Sequence, residues 1–226
     1  MLAGWLESEA MANHPLLLGH RGVRAEKSLP ENSLASFDLA LAQGCDGFEF
    51  DVRLSADGRA VVCHDAISHG QEVASCSAKQ LSLPSLREVL TRYQTRAFLD
   101  IELKVPGLEK ITVDLLRKVR PVRGFVVSSF LPEVLQAING MDPILPLGLI
   151  CETREELIHW TELPVEYLMP HYRLLGQDLI AESKDAGRKV FVWTVNAVDD
   201  MRRFAEWGVD GIISDNPKLL LRSRPG

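Results

Sequence analysis

Acidic side chains alternate with apolar ones in the segment GFEFDVRL, residues 47–54. Successive side chains of an extended strand point to opposite faces, so Glu49, Asp51 and Arg53 share one face and the apolar residues share the other. An unpaired charge inside a protein is costly, so a cationic partner must compensate the two carboxylates if their face is buried. Salt bridges to neighbouring strands and a bound metal ion are the alternatives that this segment alone leaves open.

The segment FLDIELK, residues 98–104, repeats the arrangement. Asp100, Glu102 and Lys104 share the face that we expect to point inward, which brings a third carboxylate to the same rim. Three converging carboxylates without histidine or cysteine ligands suit a hard divalent ion, Mg²⁺ or Ca²⁺, better than zinc. Asp100 lies one inward position deeper, and we expect it to form hydrogen bonds rather than to bind the ion.

Two histidines stand where apolar runs end. His20 ends the run LLLGH, and His64 follows the run AVVC. Both can reach the rim that holds the carboxylates. Two imidazoles beside a metal ion can divide the work of a general acid and a general base, so we expect acid–base chemistry at this rim.

The balance of charge at the rim favours a phosphodiester ligand. Three carboxylates, a divalent cation, Arg21, Lys104 and one protonated imidazole together carry about +1, which complements the single negative charge of a phosphodiester. Without the cation the site would be acidic and would repel phosphate.

Four further residues are candidates for the same pocket. Glu31 could orient an arginine or a ligand hydroxyl. Asn32 could donate to a phosphate or cap the helix that follows it. Phe130 and Trp193 could give the pocket an apolar wall, and their alternative role is to fill the barrel.

Eight apolar, strand-like runs alternate with segments of helical periodicity. We predict strands over 16–20, 47–52, 97–103, 125–130, 145–150, 167–171, 190–195 and 211–214. We predict helices over 32–44, 83–93, 108–119, 154–163, 177–187 and 198–208. Eight such units favour an α/β fold of the closed (β/α)8 TIM-barrel type over an open doubly wound sheet. In such a barrel the chemistry gathers at the carboxyl ends of the strands.

A ninth apolar run follows an Asp-Gly turn, so we predict a small hairpin over residues 52–64, inserted after strand 2. The whole insertion covers about residues 53–82. We expect an N-terminal extension over residues 1–15 and a single domain over 16–226. The N-terminus lacks the basic start of a secretory signal, which makes the cytoplasm the expected location.

Composition excludes several classes of function. A net charge of -6 argues against a sequence-independent nucleic-acid binder, because such binding needs a basic surface. No apolar run approaches ~18 residues, so we expect no membrane insertion. The four cysteines are scattered without a C-x-x-C spacing and predict neither a disulfide framework nor a zinc site. We expect the partner to be a small molecule, and the sequence leaves the oligomeric state open.

Taken in order, these pieces resemble the glycerophosphodiester phosphodiesterase family. The matching pieces are HRG (20–22), PENS (30–33), FEFDVRLSADGRAVVCHD (48–65), IELK (101–104), SSF (128–130), VWTVN (192–196) and GVDGIISDNP (208–217). Each short piece is weakly specific, but the ordered set is highly specific and spans almost the whole domain. The resemblance implies a phospholipase-C-like barrel and metal-dependent hydrolysis of glycerophosphodiesters, in glycerol and lipid metabolism, to sn-glycerol 3-phosphate and an alcohol.

The resemblance also implies a role for each rim residue. The metal ligands are Glu49, Asp51 and Glu102, the acid–base pair is His20 and His64, and the phosphate-binding cations are Arg21 and Lys104. The nucleophile is either water or the neighbouring glycerol hydroxyl of the substrate. A lyase that releases a cyclic phosphate and a barrel that only binds phosphate ligands are the alternative functions.

Overall fold

The computed structural model describes residues 14–158 and 160–222, and all but the end of the predicted N-terminal extension lies outside them. The strands are β1 (Leu16–His20), β2 (Gly47–Leu54), β3 (Ala60–Val62), β4 (Ile67–Ser68), β5 (Gln71–Glu72), β6 (Phe98–Leu103), β7 (Phe125–Ser129), β8 (Leu147–Cys151), β9 (Tyr167–Pro170), β10 (Lys189–Val192) and β11 (Gly211–Ser214). The α-helices are α1 (Leu34–Ala42), α2 (Ala78–Leu81), α3 (Leu86–Tyr93), α4 (Glu109–Lys118), α5 (Pro132–Met141), α6 (Arg154–Leu157), α7 (Gln177–Asp185), α8 (Val198–Glu206) and α9 (Pro217–Arg222).

Eight of these strands close into a parallel barrel. Their order around the barrel is β1-β11-β10-β9-β8-β7-β6-β2, and a further pairing of β1 with β2 completes the circle. All eight therefore deliver their carboxyl ends to one mouth of the barrel. This arrangement confirms the predicted (β/α)8 fold.

The register of three neighbouring strands brings the acidic residues to this mouth. His20 on β1 pairs with Glu49 on β2, and Glu49 pairs with Asp100 on β6. One step further along, Asp51 pairs with Glu102. The alternation seen in the two sequence segments therefore places these side chains side by side on adjacent strands.

Apolar side chains separate into an outer layer and an inner layer. Phe48 on β2 stacks on Phe37 of α1 with ring centroids 4.2 Å apart, in the cluster between the strands and the helices. The barrel interior is filled by Leu18, Phe98, Val126, Ile150, Tyr167, Met169, Phe191 and Ile213. Each such buried side chain contributes about 1.5–3 kcal/mol relative to exposure. The inner layer forms an apolar floor beneath the polar mouth.

The predicted hairpin is present after the second barrel strand. β3 runs antiparallel to β2, with Val52 opposite Val62 and Leu54 opposite Ala60. The rest of the insertion contains the short strands β4 and β5, a 3-10 turn over Val73–Ser75 and helix α2, whose capping box joins Ser77 to Gln80.

Two predicted elements were too long, and two helices were not predicted. The helix predicted over 154–163 is shorter: α6 ends at Leu157 and a 3-10 turn follows over Trp160–Glu162. A proline at position 164 disfavours helical backbone at the residue before it. The strand predicted over 190–195 ends at Val192. Helices α5 and α9 were not predicted.

Helix α5 carries the signals that should have predicted it. Pro132 occupies its first turn, and Val134, Leu135 and Ile138 form its buried face. In the described ranges, 14–158 and 160–222, none of the helices has the length and apolar character needed to cross a membrane.

Candidate active site

Three buried carboxylates meet at the mouth of the barrel. One oxygen from each of Glu49, Asp51 and Glu102 lies within 4.8 Å of the others. Their exposed fractions are 4%, 0% and 7%. Because β2 and β6 hold them on adjacent strands, the carboxylates converge without help from a flexible loop.

Burial and the charges of neighbouring groups shift the pKa values of the three carboxyl groups. Burial, followed by the charges of Asp51 and Glu102, raises the pKa of Glu49 well above its usual value. Burial and the charge of Asp51 raise the pKa of Glu102 to about 7. Burial works to raise the pKa of Asp51 as well, but the charges of Arg21 and Lys104 outweigh it and lower that pKa. The described cations therefore neutralise the cluster only in part.

Lys104 and Arg21 are the cations that face the cluster. The Nζ of Lys104 lies 2.6 Å from the Oε1 of Glu102 and 3.5 Å from the Oδ1 of Asp51. The Nε of Arg21 lies 3.2 Å from the Oδ2 of Asp51, and the Arg21 backbone amide donates to Glu49 over 3.0 Å. Burial works to lower the pKa of both side chains, but the surrounding carboxylates raise it, so both stay charged.

The turn after β1 places Arg21 and Asn32. Arg21 and Asn32 both adopt positive φ angles, 51° and 57°. The Asn32 side chain donates to the Oδ2 of Asp51 over 2.7 Å and accepts from the Asp51 backbone amide over 3.2 Å. Ser33, rather than Asn32, caps helix α1, since its hydroxyl accepts from the amide of Ser36. The suggestion that Asn32 caps the helix was therefore wrong, and Asn32 orients a carboxylate instead.

The imidazole of His20 forms a hydrogen bond with Asp215, which was not among the predicted site residues. The Nδ1 of His20 lies 2.6 Å from the Oδ1 of Asp215, and its Nε2 lies 3.8 Å from the Oε2 of Glu49. Asp215 also accepts from the Nδ2 of Asn196 over 2.7 Å. The available signal was the position of Asp215 directly after strand β11, where barrel chemistry gathers.

His64 lies at the edge of the same site. Its Nδ1 lies 2.7 Å from the Oδ1 of Asp65, and its backbone carbonyl accepts from the Nε of Arg53. Burial lowers the pKa of His64 despite the nearby charge of Asp51, which favours the neutral imidazole. The hairpin strand β3, two residues before His64, thus brings this second imidazole to the rim.

Both histidines open onto one cavity of about 280 Å³. Its charged and polar lining residues are His20, Arg21, Glu49, His64, Asp100, Glu102, Lys104 and Glu152, and its apolar lining residues are Phe130, Ile150, Met169, Trp193 and Ile213. Phe130 and Trp193 meet edge to face at 5.6 Å, and the Trp193 indole N–H donates to the Met169 carbonyl. These two rings therefore form the predicted apolar wall, while Glu31 binds Arg21 over 2.7 Å.

Ser128 and Glu152 lie in or next to the cavity and were not among the predicted site residues. Ser128 on β7 donates to the Oδ1 of Asp100 over 2.6 Å, and burial raises the pKa of Asp100 to about 8. This contact agrees with the expected hydrogen-bonding role of Asp100. Glu152 follows β8 and lines the cavity. The same strand-end rule that applies to Asp215 could have indicated Glu152.

The carboxylate cluster suits a divalent cation. Within the described residues, the buried Oε1 of Glu49 and Oδ1 of Asp51 accept no hydrogen bond, although Lys104 lies 3.5 Å from the latter. Oxygen donors with excess negative charge are the ligands that Mg²⁺ and Ca²⁺ prefer. A cation bound there would complete the pairing of these oxygens.

Comparison with known proteins agrees with this geometry. The model of the glycerophosphoryl diester phosphodiesterase family matches residues 20–113 and 100–219. A glycerophosphodiester phosphodiesterase of Caldanaerobacter subterraneus subsp. tengcongensis is 31% identical, with 91% of this chain and 96% of the relative aligned. A probable glycerophosphodiester phosphodiesterase 1 of Mycobacterium tuberculosis is 41% identical, with 92% of each chain aligned.

A solved structure adds a bound molecule to the comparison. An Oleispira antarctica phosphodiesterase, in complex with the product sn-glycerol-3-phosphate, superposes with a TM-score of 0.81 and 25% identity over 93% of this chain and 96% of that one. The sequence match, the shared barrel and the extent of both alignments lead to one assignment. The chain belongs to the glycerophosphoryl diester phosphodiesterase family and is an enzyme of that family.

Proposed function

We propose that this protein hydrolyses glycerophosphodiesters to sn-glycerol 3-phosphate and an alcohol, with the help of a divalent ion and two histidines. The observation that carries the proposal is that three buried carboxylates meet at one cavity, which Glu49, Glu102 and both imidazoles line. Relatives named glycerophosphodiester phosphodiesterase and a related phosphodiesterase in complex with sn-glycerol-3-phosphate support the same reaction.

Glu49, Asp51 and Glu102 would hold the divalent ion, which we propose to be Mg²⁺ or Ca²⁺. When bound, such an ion supplies a Lewis acid that stabilises negative charge on phosphoryl oxygens. Arg21 and Lys104 line the same cavity and carry positive charge, so they can donate to the non-bridging oxygens of the phosphate. Together these groups would bind one phosphodiester in this cavity.

The two histidines would move the protons. A water molecule attacks phosphorus, and one imidazole takes its proton, while the other gives a proton to the leaving alcohol as its bond to phosphorus breaks. If the neighbouring glycerol hydroxyl attacks instead, the same proton transfers release the alcohol and leave a cyclic phosphate. Water then opens this ring, with the two imidazoles exchanging roles, to give sn-glycerol 3-phosphate. Because the ionised Asp215 carboxylate can only accept, the proton of His20 facing it is on Nδ1, and Nε2 is the atom that exchanges protons with the substrate.

The apolar lining residues of the cavity would contact the carbon skeleton of the substrate. Phe130 and Trp193 present their rings there, and the cavity volume of about 280 Å³ suits a small diester better than an intact lipid. We therefore propose small soluble glycerophosphodiesters as substrates, with lysophospholipids as a secondary class. A cytoplasmic location belongs to the same proposal.

Phosphorus NMR of the reaction tests the proposal. Purified protein is incubated with choline, ethanolamine, glycerol and inositol diesters of glycerol 3-phosphate, with Mg²⁺ or Ca²⁺ and with excess EDTA. We expect the phosphomonoester signal of sn-glycerol 3-phosphate to grow only when metal is present. A cyclic phosphate as the final product would instead identify a lyase, and unchanged turnover in EDTA would refute the metal site.

Histidine variants test the acid–base assignment. H20A and H64A each remove a proton-transfer group, so we expect each to lose about 10²–10⁴-fold in kcat. H69A is the matched control, since His69 lies in the exposed insertion and contacts Ser68. Wild-type rates in both H20A and H64A would disprove the assignment.

A further inference from the structure

Arg24 forms ion pairs with two carboxylates that also contact the site: Glu31, which binds Arg21, and Asp215, which binds His20. Its Nε lies 3.0 Å from the Oε2 of Glu31, and its Nη1 lies 3.3 Å from the Oδ2 of Asp215. Glu31 also accepts from Arg21, and Asp215 also accepts from His20. The chain of contacts therefore runs from one rim residue to the other through two carboxylates and one guanidinium.

The backbone supports this chain of contacts. The amide of Ala25 donates to the carbonyl of Asp215 over 3.0 Å, which ties the turn after β1 to the end of β11. The Asp215 amide in turn donates to the Oδ1 of Asn196 over 3.0 Å. Arg24 itself is half-exposed, with 42% of its side chain accessible, so it lies toward solvent from the buried rim.

We propose that Arg24 is a positioning residue for the reaction: by bridging Glu31 and Asp215, it holds the Arg21 guanidinium and the His20 imidazole in a fixed relation to each other. This inference rests on the proposed function. Arg21 would bind the phosphate and His20 would move a proton, so the distance between them must match the substrate for both to act at once.

The chemistry of arginine suits this bridge. The planar guanidinium of arginine presents several N–H groups in fixed directions and can bind two carboxylates at once, whereas the lysine ammonium is a single point charge. An isolated, half-exposed ion pair contributes little to stability. The expected consequence of losing Arg24 is therefore a loosened site rather than an unfolded protein.

Steady-state kinetics of R24Q, E31Q and D215N separate the two ends of the bridge. Since Glu31 orients the phosphate-binding Arg21, we expect E31Q to raise KM chiefly, by about 3- to 10-fold. Since Asp215 orients His20, we expect D215N to lower kcat chiefly. R24Q should do both, and R24K should recover less than half of the loss because lysine lacks the planar guanidinium.

R117Q is the matched control. Arg117 is a half-exposed arginine that binds the carboxylate of Asp142 over 3.1 Å, at a contact outside the chain that joins His20 to Arg21. We expect R117Q to keep kcat and KM within about twofold of wild type. If R24Q behaves like R117Q, the positioning role of Arg24 is overturned.

A double-mutant cycle tests whether the bridge carries the coupling. With Arg24 present, the effects of E31Q and D215N on kcat/KM should combine to less than their product, because each breaks the same connection. In the R24Q background the two effects should multiply. Multiplicative effects with Arg24 present would contradict the bridge even if R24Q lowers activity.

Nitrogen NMR of the His20 side chain gives a readout that does not depend on turnover. In protein labelled with 15N-histidine and kept in Ca²⁺, D215N should shift the His20 Nδ1 resonance directly. E31Q should shift it only when Arg24 is present. If the wild type hydrolysed no diester, the proposed function would fail, but this measurement would still test whether Arg24 links Glu31 to His20. A His20 resonance that does not respond to E31Q, or that still responds to E31Q in the R24Q variant, overturns the proposed role of Arg24.

Discussion

At the residue scale, the hydrogen bond from the Nδ1 of His20 to Asp215 orients the imidazole ring for proton transfer. Asp215 accepts from Nδ1 over 2.6 Å, and the opposite nitrogen lies 3.8 Å from Glu49. Burial works to raise the pKa of Asp215, but hydrogen bonds from His20 and Asn196 outweigh it and lower the pKa to about 2. Asp215 therefore stays ionised and accepts this hydrogen bond at neutral pH.

The lowered pKa of Asp215 predicts a pH dependence of stability. A carboxyl whose pKa falls on folding, here from 3.8 to about 2, stabilises the fold above pH 4, and this contribution is lost as the pH falls from about 4 to 2. We expect D215N to lower the free energy of unfolding by on the order of 2 kcal/mol at pH 7, and by much less near pH 2. Urea titrations of wild type and D215N check this, and a difference that is constant with pH would contradict it.

The sequence predicted side chains that share a strand face better than contacts between neighbouring strands that are far apart in the sequence. The alternation of β2 and β6 was enough to bring Glu49, Asp51 and Glu102 to one face, because the period of a strand is fixed. The partnership of His20 with Asp215 joins the first and last strands of the barrel, and no local pattern encodes that contact. The role of Asn32 depended on which residue of the turn caps α1, which local preference alone did not decide.

At the element scale, the turn between β1 and α1 positions more of the site than any other loop. Gly19 and Gly22 let the chain fold back on itself: a Cβ on Gly19 would lie 2.1 Å from the Gly22 carbonyl oxygen. Gly22 has a φ of 83°, and a Cβ there would lie 2.4 Å from the hydroxyl of Ser36, which also accepts from Val23. The turn therefore leaves no room for a larger residue.

A pair of glycine substitutions tests this close approach. Gly22 and Gly58 both have positive φ, but a Cβ on Gly58 would meet nothing within 4 Å. G58A should thus lose only about 1 kcal/mol, the cost of the backbone conformation. G22A adds a clash with α1, and we expect it to lose at least about 2 kcal/mol more and to lower kcat. Chemical denaturation of the two variants gives the comparison; equal losses would show that the turn can relax.

Whole elements were largely predictable from periodicity, whereas their ends were not. The eight barrel strands and the hairpin follow from apolar runs and an Asp-Gly turn. The end of β10 at Val192 depends on partners: beyond it Trp193 makes only an isolated bridge with His171. Residues 154–163 likewise show helical periodicity but break after α6, where tertiary packing of the buried Trp160 competes with local preference.

At the scale of the whole molecule, closure of the barrel concentrates negative charge that the fold itself does not fully balance. Glu49, Asp51, Asp100 and Glu102 come from only two strands and are all buried. Burial raises the pKa of Asp100 to about 8 and that of Glu102 to about 7. A cation that binds the folded barrel and not the open chain must therefore stabilise the fold.

Thermal unfolding in the presence and absence of metal tests this linkage. A ligand at 100 times its Kd adds about 2.7 kcal/mol to the folded state. For a chain of this size the midpoint should rise by roughly 5–10 °C. We expect this rise with Mg²⁺ or Ca²⁺, its reversal by EDTA, and its absence in E102Q. E72Q, which alters an exposed carboxylate in β5, should respond like the wild type.

Isothermal titration of metal-free protein with Mg²⁺ and Ca²⁺ tests the central claim most directly, because it counts the ions that the carboxylate cluster holds. We predict one ion per chain in the wild type and in H64A, and an affinity at least about 100-fold weaker in E49Q and in E102Q. Circular dichroism of the same samples shows that the variants are folded. Wild-type binding in both glutamine variants, or no binding in the wild type, would contradict the metal site on which the proposed hydrolysis depends.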